Sequence, residues 1–257
     1  MRLSPSHPRY RSLVVRQTLA GAHRSGLVVP EGLIAHGRGE AFDYFLGERT
    51  TPSARRAERA AAEWLWGAER PVLSVNGNVA ALAAPEVARI ARRAPHLAVE
   101  VNLFHRTPAR ARQVASVLRA AGVREVLGVR PSARIPGLPS DRARVDRRGI
   151  YRADVCLVPL EDGDRAEALR TRGVRVISVD LNPLSRTSEA ADLPIVDELR
   201  RALGHIAEDL GRLAGSPRPA SPRPFDAARA RADAVREMRR RLSRAARERG
   251  PTPRARR

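Results

Sequence analysis

Short apolar runs punctuate the middle of the chain, and each of them ends at a polar or glycine-containing turn. Runs rich in valine and leucine occupy residues 72–75, 97–101, 126–129, 154–158 and 174–179. Apolar runs of about four to eight residues that are bounded by turn residues are typical of β-strands. The pattern therefore predicts a strand at each run, and the strand at 126–129 is predicted to be weaker than the others.

Helical patterns alternate with these strands, at residues 53–66, 85–93, 107–122, 164–172 and 197–213. Thr107 and Pro108 form a good helix start, and Gly122 is a good helix stop. Strands that alternate with helices imply a parallel sheet covered on both faces. We therefore predict an α/β fold, with a Rossmann-like parallel sheet, helices on both faces, an N-terminal helical segment at 8–26 and a C-terminal helix. The glycine-rich segment 32–39 and the segment 131–149 are predicted to be loops.

The chain is predicted to contain one principal domain with a C-terminal extension. Residues 1–213 would form the α/β domain, 214–224 a Pro-rich linker, 225–250 a basic helix and 251–257 a disordered arginine-rich tail. Val235, Met238 and Leu242 fall on one side of the basic helix and form an apolar stripe.

Arginine dominates the charge of the protein. All 48 basic residues are arginine and the formal net charge is +20. A GC-rich genome also favours arginine, so this composition does not demonstrate a polyanionic partner, although a guanidinium is well suited to binding phosphate and carboxylate. The single cysteine, Cys156, excludes an internal disulfide and is predicted to be buried and inert. No run approaches the roughly 20 apolar residues of a membrane span or the pattern of a signal peptide, so we expect a cytoplasmic protein.

Polar motifs follow the carboxyl ends of four predicted strands. They are Asn76 with Asn78, Asn102, the acidic run 161–164, and residues 180–186. Ligands of open parallel sheets bind at this edge, so the placement predicts a single active site.

Each motif also has a purely structural interpretation. Asn76 and Asn78 either donate amides to a substrate anion or stabilise a turn. The carboxylates of 161–164 either hold Mg²⁺ that bridges ATP phosphates or favour a helix N-terminus. In residues 180–187, Asp180 and Asn182 can bind a ribose or adenine, and Ser185, Arg186 and Thr187 can bind a phosphate. Alternatively, the segment is a capped loop that enters a short helix.

Other candidate chemistry is weaker. The segment 36–40 brings Arg38 between two glycines, where it can neutralise an anion or belong to a plain turn. Its spacing matches neither a P-loop nor a dinucleotide fingerprint. His36 and His105 are isolated and no Cys/His spacing resembles a zinc site, so we predict no histidine or cysteine metal cluster and assign no metal-ligand residue.

Long ordered strings of the sequence resemble the archaeal 4-phosphopantoate–β-alanine ligases, also called phosphopantothenate synthetases. The strings cover about residues 5–200 and are SHPRY (6–10), GLIAHGRGEAFDY (32–44), GERT (47–50), VNGNVAA (75–81), NLF (102–104), RIPGL (134–138), PLEDGDR (159–165) and DLNPLSR (180–186). The resemblance implies that ATP, 4-phosphopantoate and β-alanine give 4′-phosphopantothenate, AMP and diphosphate through an acyl-adenylate, with Mg²⁺, in coenzyme A biosynthesis. It also implies a homodimer.

By this resemblance ATP would contact Arg16, Arg38, Asp180, Leu181, Asn182, Arg186, Thr187, Glu198 and Leu199. The family often has serine at the position of Thr187 and can carry asparagine near Glu198, so a backbone contact is the safer expectation at Glu198. We assign catalytic roles to Arg38, Asn78 and Arg186. From their placement at strand ends, Asn76, Asn78 and Arg106 are expected to face phosphopantoate.

Two other classes of protein compete with the ligase. The basic segment 229–257 would suit non-specific binding of nucleic acid, but 4% aromatic residues provide few stacking platforms. We therefore expect no nucleic-acid partner. A Rossmann-type oxidoreductase is disfavoured because the dinucleotide fingerprint is absent.

Overall fold

A five-stranded parallel sheet forms the centre of the computed structural model, which describes residues 4–7, 9–219 and 223–248. Its strands are β1 (Pro71–Val75), β2 (Ala98–Val101), β5 (Val155–Pro159), β6 (Arg175–Val179) and β7 (Leu193–Ile195). They lie in the order β2-β1-β5-β6-β7. A small antiparallel ladder pairs β3 (Ala133–Arg134) with β4 (Arg144–Val145). The predicted α/β fold is confirmed.

Helices cover both faces of the sheet. They are α1 (Tyr10–Arg24), α2 (Pro30–Leu46), α3 (Pro52–Gly67), α4 (Gly77–Arg93), α5 (Pro108–Ala120), α6 (Gly163–Thr171), α7 (Arg186–Ala190), α8 (Leu199–Leu213) and α9 (Ala227–Glu248). Five of the described helices, α3, α4, α5, α7 and α8, are capped at their starts. The side-chain oxygen of the capping residue accepts a hydrogen bond from a backbone N–H of the first turn; these residues are Thr51, Asn76, Thr107, Ser185 and Glu198. These contacts satisfy donors that the first turn of a helix leaves free.

Alternate residues of the strands enter two separate cores. In β5, Leu157 packs with the core formed by α1, α3, α4, α5 and α8, whereas Cys156 packs with the core formed by α6, α7 and the β3–β4 region. Side chains of successive strand residues point to opposite faces, so a run that is apolar at every position fits a strand buried on both sides. As predicted, Cys156 is completely buried, and burial raises the pKa of its thiol to about 12.

Four local predictions were wrong. Residues 126–129 form no strand, because only Leu127 bridges to Glu100 beyond the edge of β2. Segment 32–39 is helical and lies within α2. The helix predicted from 85 begins at Gly77 instead and is kinked at Ala83, ahead of the proline at its interior. The predicted loop 131–149 contains β3 and β4. The sequence pattern also missed β7, whose Pro194 is tolerated because the strand lies at the edge of the sheet.

The C-terminal extension packs on the domain. The indole N–H groups of Trp64 and Trp66 donate to the carbonyls of Arg223 and Ser216 at 2.9 and 3.3 Å. On α9, Met238 is buried, whereas Val235 and Leu242 are exposed, so the predicted stripe is split between two environments. Part of the predicted linker, 220–222, and the predicted tail lie outside the described residues. Among the described helices, none is long and apolar enough to cross a membrane.

Candidate active site

The predicted strand-end motifs meet at one edge of the sheet. Asn76 follows β1, Asn102 follows β2, Glu161 lies just after β5, and Asp180 follows β6. These four strands are neighbours and all pairs among them are parallel, so their carboxyl ends share an edge. The juxtaposition on which the prediction of a single site depended is therefore present.

The side chain of Asn76 holds the turn that follows β5. Its Nδ2 donates to the carbonyls of Pro159 and Leu160 at 3.1 and 3.0 Å, and its Oδ1 accepts from the Val79 N–H at 3.1 Å. Leu160 has a φ of 52°, a left-handed conformation that is unusual for a leucine. Asn76 therefore positions this turn, and both of its amide hydrogens are used by the protein.

Asn78 joins the first turns of α4 and α2. Its Nδ2 donates to the carbonyl of Gly32 at 2.8 Å, and its side chain is buried. A Cβ on Gly32 would clash with the Oδ1 of Asn78, so the glycine is what allows the two helices to approach.

Residues 180–186 form a turn that is held by its own polar side chains. Asp180 accepts from the Asn182 N–H at 2.9 Å and from the Ser185 hydroxyl at 2.6 Å. Asn182 Oδ1 accepts from the Leu184 N–H at 2.9 Å. Burial raises the pKa of Asp180, while the hydrogen bond from Ser185 acts in the opposite direction. Among the described residues nothing bonds to the Nδ2 of Asn182, which leaves this amide for a ligand.

Helix α2 forms a second wall beside this turn. Arg38 is exposed on α2, and its charge favours the ionised form of Asp180, against the larger effect of burial. The next residue, Gly39, lies near Leu181, because a Cβ there would be 3.8 Å from Leu181 Cδ1. Helix α2 therefore lies beside Leu181 of this turn.

Arg186 and Thr187 begin the short helix after this turn. The Arg186 side chain is 67% exposed and its Nη2 lies 2.5 Å from Asp164 Oδ1. The backbones of Gly163 and Arg186 lie close together, so a Cβ on Gly163 would clash with the Cβ of Arg186. Thr187 is buried, and its hydroxyl donates to the carbonyl of Glu161 at 2.6 Å. Arg186 can thus reach a ligand from solvent, whereas the Thr187 hydroxyl is already bonded.

Arg16 lies on α1, where it pairs with Glu40 of α2. Its Nη2 is 2.8 Å from Glu40 Oε2, and the Tyr44 hydroxyl also donates to Glu40, at 2.9 Å. Burial opposes ionisation of Glu40, but the hydrogen bonds from Arg16 and Tyr44 lower its pKa overall. Arg16 therefore reaches the outer side of the helix that carries Arg38.

Glu198 and Leu199 lie beyond β7, next to β6 in the sheet. Glu198 caps α8 by accepting from the Arg201 N–H at 3.1 Å, and burial raises its pKa. Leu199, the first residue of α8, is buried. Both therefore belong to the positive N-terminal end of a long helix, where a backbone contact with an anion is favourable.

Arg106 is bonded to backbone carbonyls of the segment after α5. Its Nη2 donates to the carbonyls of Gly128 and Val129, the latter at 3.0 Å, and its backbone N–H donates to Asp141. Burial lowers the pKa of Arg106, and its Nη1 is buried with no partner among the described residues. In this structure Arg106 fixes the segment after α5.

The acidic run after β5 is neutralised by arginines. Buried Glu161 pairs with Arg142 at 2.8 Å and with the fully buried Arg165. Asp162 also pairs with Arg142 at 2.8 Å. Arg165 is part of the 159–165 string, whereas sequence patterns missed Arg142, because nothing in its spacing shows that 131–149 folds back over the strand ends.

Asn102 ties the same segment to the strand ends. Its Nδ2 donates to the Arg142 carbonyl at 3.0 Å, and its Oδ1 is buried with no partner among the described residues. The β3–β4 region is therefore part of the wall of the site.

The comparisons with known proteins define the class. A family model described as phosphopantothenate/pantothenate synthetase matches residues 53–241, most of the chain. The chain therefore belongs to this family and is a ligase. It is 55% identical over 202 residues to a 4-phosphopantoate–β-alanine ligase of Methanospirillum hungatei, with 79% of this chain and 82% of that protein covered.

Two further archaeal proteins with the same name are similarly close. The one from Methanosarcina mazei is 54% identical over 202 residues, which are 79% of each chain. The one from Thermococcus kodakarensis is 52% identical over 204 residues, which are 79% of this chain and 78% of that protein. The resemblance stated from the sequence strings is confirmed.

Proposed function

We propose that the protein joins 4-phosphopantoate to β-alanine with ATP, giving 4′-phosphopantothenate, AMP and diphosphate in coenzyme A biosynthesis. The observation that carries this proposal is the 55% identity, over most of both chains, to a protein named for this reaction. The strand-end geometry supports it, because polar groups from β1, β2, β5 and β6 face one edge of the sheet.

ATP is proposed to lie between α2 and the turn 180–186. The free Nδ2 of Asn182 and the carboxylate of Asp180 are suited to the nucleoside, and Arg38 faces them from α2. Arg186 and the N-termini of α7 and α8 would receive the phosphates. Arg16, Leu181, Thr187, Glu198 and Leu199 complete this set, with Thr187 acting through the backbone because its hydroxyl is bonded to Glu161.

The proposed chemistry requires positioning and cations but no protein nucleophile. A carboxylate oxygen of phosphopantoate attacks the α-phosphorus of ATP and diphosphate leaves, which creates an acyl-adenylate. The amine of β-alanine then attacks the acyl carbon, loses a proton, and AMP leaves. Arg38 and Arg186 would stabilise the charge that develops on the phosphates. The ion pair of Arg186 with Asp164 is more than half exposed and hence weak, so it can open at little cost.

Asp162 and Asp164 are the carboxylates at this edge that fit Mg²⁺ carried by ATP. Their side chains are 47% and 60% exposed, whereas Glu161 is buried between two arginines. Mg²⁺ commonly uses one or two carboxylates together with substrate phosphates, and there it neutralises phosphate charge.

Phosphopantoate is proposed to bind near the start of α4, beside Asn76 and Asn78. The first turn of a helix attracts anions, and Asn78 adds a polar side chain there. Arg106 would reach the substrate only if its contacts with Gly128 and Val129 open.

ATP–diphosphate exchange tests the adenylate directly. Exchange of labelled diphosphate into ATP should require 4-phosphopantoate but not β-alanine, and AMP should appear when β-alanine is added. Release of ADP and phosphate would contradict the adenylate and favour an acyl-phosphate. If neither AMP with diphosphate nor ADP with phosphate is formed, 4-phosphopantoate and β-alanine are not the substrates.

Arg38→Ala and Arg186→Ala should each reduce turnover by at least about 100-fold, as expected when a charged transition-state contact is removed. Arg119→Ala is the matched control, because Arg119 is exposed in the last turn of α5, at the opposite end of the sheet. Full activity of Arg38→Ala would remove Arg38 from the site.

We further propose that the protein forms a homodimer through α2 and α9. Ile34, Phe45, Val235 and Leu242 are exposed on these packed helices. Light scattering should give twice the mass of one chain, and Leu242→Glu should shift it to the monomer. An unchanged mass in Leu242→Glu would exclude this surface.

A further inference from the structure

Three side chains at the junction of α3, β7 and α8 form a cluster that the proposed reaction does not use. They are Glu58 of α3, Asp197 just after β7, and His205 of α8, hereafter the Glu58 cluster. One carboxylate oxygen from each acid and one ring nitrogen of the histidine all lie within 4.8 Å of one another. Glu58 is distant in sequence from Asp197 and His205, so only the fold brings the three together.

Glu58 has an unsatisfied polar atom inside this cluster. Its side chain is completely buried, and Oε2 contacts His205 Nδ1 at 2.8 Å. Its Oε1 is buried and has no hydrogen-bond partner among the described residues. Because nearly all buried polar atoms in proteins are partnered, an orphan carboxylate oxygen next to the carboxylate of Asp197 indicates that a cation or a proton belongs between them.

The nearby arginines are shared with acids outside the cluster. Arg201 binds Asp197 at 2.7 Å, but it also binds Asp43 at 2.5 Å. Arg55 forms two hydrogen bonds with Asp209, at 2.5 and 2.8 Å, and approaches Glu58 only to 3.9 Å. No guanidinium among the described residues therefore bridges Glu58 and Asp197, and a cation or a proton between the two buried carboxylates would relieve their repulsion.

We propose that the Glu58 cluster binds one divalent transition-metal cation, such as Zn²⁺ or Mn²⁺, through Glu58, Asp197 and His205. One imidazole nitrogen and two carboxylate oxygens are a ligand set that suits these cations. The His205 side chain is 30% exposed, which gives the cation a route from solvent and leaves room for a water ligand. Thr50, whose hydroxyl donates to Asp197 Oδ2 at 2.5 Å, would orient the second carboxylate.

The competing occupant is a proton. Burial, followed by the charge of Asp197, raises the pKa of Glu58 to about 10, so a carboxyl–carboxylate pair can form when no metal is bound. The two occupants differ in their response to added metal and to replacement of Glu58 by its neutral isostere.

Calorimetric titration of the full chain, freed of metal by EDTA and dialysis, distinguishes them. Zn²⁺ and, separately, Mn²⁺ should bind at about one site per chain, and the melting temperature should rise with the metal concentration. His205→Gln should weaken binding by at least about tenfold. Glu58→Gln should abolish binding at this site. His96→Gln is the control, since His96 is a partly buried histidine that contacts the Leu65 carbonyl.

Two results would overturn the proposal. One is the absence of saturable binding to the folded wild-type chain. The other is binding that survives unchanged in both Glu58→Gln and His205→Gln. If Glu58→Gln fails to fold, as judged by circular dichroism, His205→Gln decides alone, because His205 lies at the edge of the cluster. A more stable Glu58→Gln without metal binding would show that a shared proton occupies the site.

Discussion

The Thr187 hydroxyl donates a 2.6 Å hydrogen bond to the backbone carbonyl of Glu161. This bond connects the first turn of α7 to the segment after β5, and Asn76 holds the other side of that segment through the carbonyls of Pro159 and Leu160. The loops after β1, β5 and β6 are thus connected in series. We infer that they keep the proposed ATP and phosphopantoate sites in a constant relative position.

Replacing Thr187 by valine should destabilise the protein and disturb the proposed nucleotide site. Valine fills similar volume but leaves the buried Glu161 carbonyl without its donor, which costs about 1–3 kcal/mol. Urea unfolding and the KM for ATP measure the two effects. Thr187→Ser keeps the hydroxyl and should behave like the wild type to within about 1 kcal/mol. If the valine and serine variants have the same free energy of unfolding and the same KM for ATP, the hydrogen bond contributes to neither.

Two glycines of α2 should respond oppositely to alanine. A Cβ on Gly32 would clash with Asn78 Oδ1, so Gly32→Ala should break the Asn78 bond, lower stability by about 1–3 kcal/mol and reduce turnover. A Cβ at Gly37 would have no neighbour within 4 Å, so Gly37→Ala should raise the free energy of unfolding by about 0.5–1 kcal/mol. Thermal unfolding of both variants provides the comparison. A stabilised Gly32→Ala would contradict the close approach of α2 to α4.

Met238 connects α9 to both walls of the proposed ATP site. It packs with Leu46 of α2 and Val196 after β7, and Leu181 lies against the same small core. Met238→Ala should cost about 2–5 kcal/mol through the cavity it leaves and should raise the KM for ATP more than it lowers kcat. Met238→Leu conserves volume and should cost less than about 1.5 kcal/mol. An unchanged KM in a destabilised alanine variant would limit α9 to a structural role.

Glu100 should make stability depend on pH near neutrality. It is completely buried and accepts from the N–H groups of Asp146 and Ile150, both at 2.7 Å. Burial raises the pKa of Glu100 to about 7 despite these bonds. The folded state therefore binds this proton more tightly than the unfolded state does. Stability from this group is complete below about pH 4.5 and is lost as pH rises to about 7, by on the order of 3 kcal/mol.

Glu100→Gln isolates that contribution. The variant loses a backbone contact at every pH, because its amide N–H faces a backbone N–H. The stability advantage of the wild type over the variant should be greatest near pH 5 and should shrink by pH 8. Urea unfolding across this range measures the difference. A difference that is constant with pH would mean that Glu100 does not titrate there.

Much of the fold and of the site edge was predictable from local sequence. The runs around Leu73, Leu157 and Ile177 are rich in valine, leucine and isoleucine, and all of their strand residues except Arg175 are buried, as expected of strands covered on both faces. Thr107 with Pro108 marked the start of α5 correctly. Since the carboxyl ends of parallel strands share an edge, placing Asn76 and Asp180 after strands was enough to bring them to one side of the sheet.

Local signals failed where packing overrides propensity. The glycines of 32–39 indicated a loop, but α2 is kept helical by its contacts with α1 and α9, and Gly32 serves the close approach of Asn78. Pro85 indicated a helix start, yet the Asn76 cap and the apolar face at Val79 extend α4 back to Gly77. No sequence pattern indicated that the charged side chains of Glu100 and Arg165 are completely buried.

The sequence by itself determined the parallel α/β architecture, the edge of the sheet that carries the polar motifs and, through its long matching strings, the family. These depend on the order of residues along the chain. Only the tertiary structure decided which polar groups are free for a ligand and which are bound within the protein. Among the described residues, the amide of Asn182 has no partner whereas that of Asn76 is bonded to two carbonyls, and Arg38 is exposed whereas Arg106 is bonded to Gly128 and Val129. The same holds for the Glu58 cluster, because the partners of a buried charge are fixed by contacts between segments that are distant in sequence.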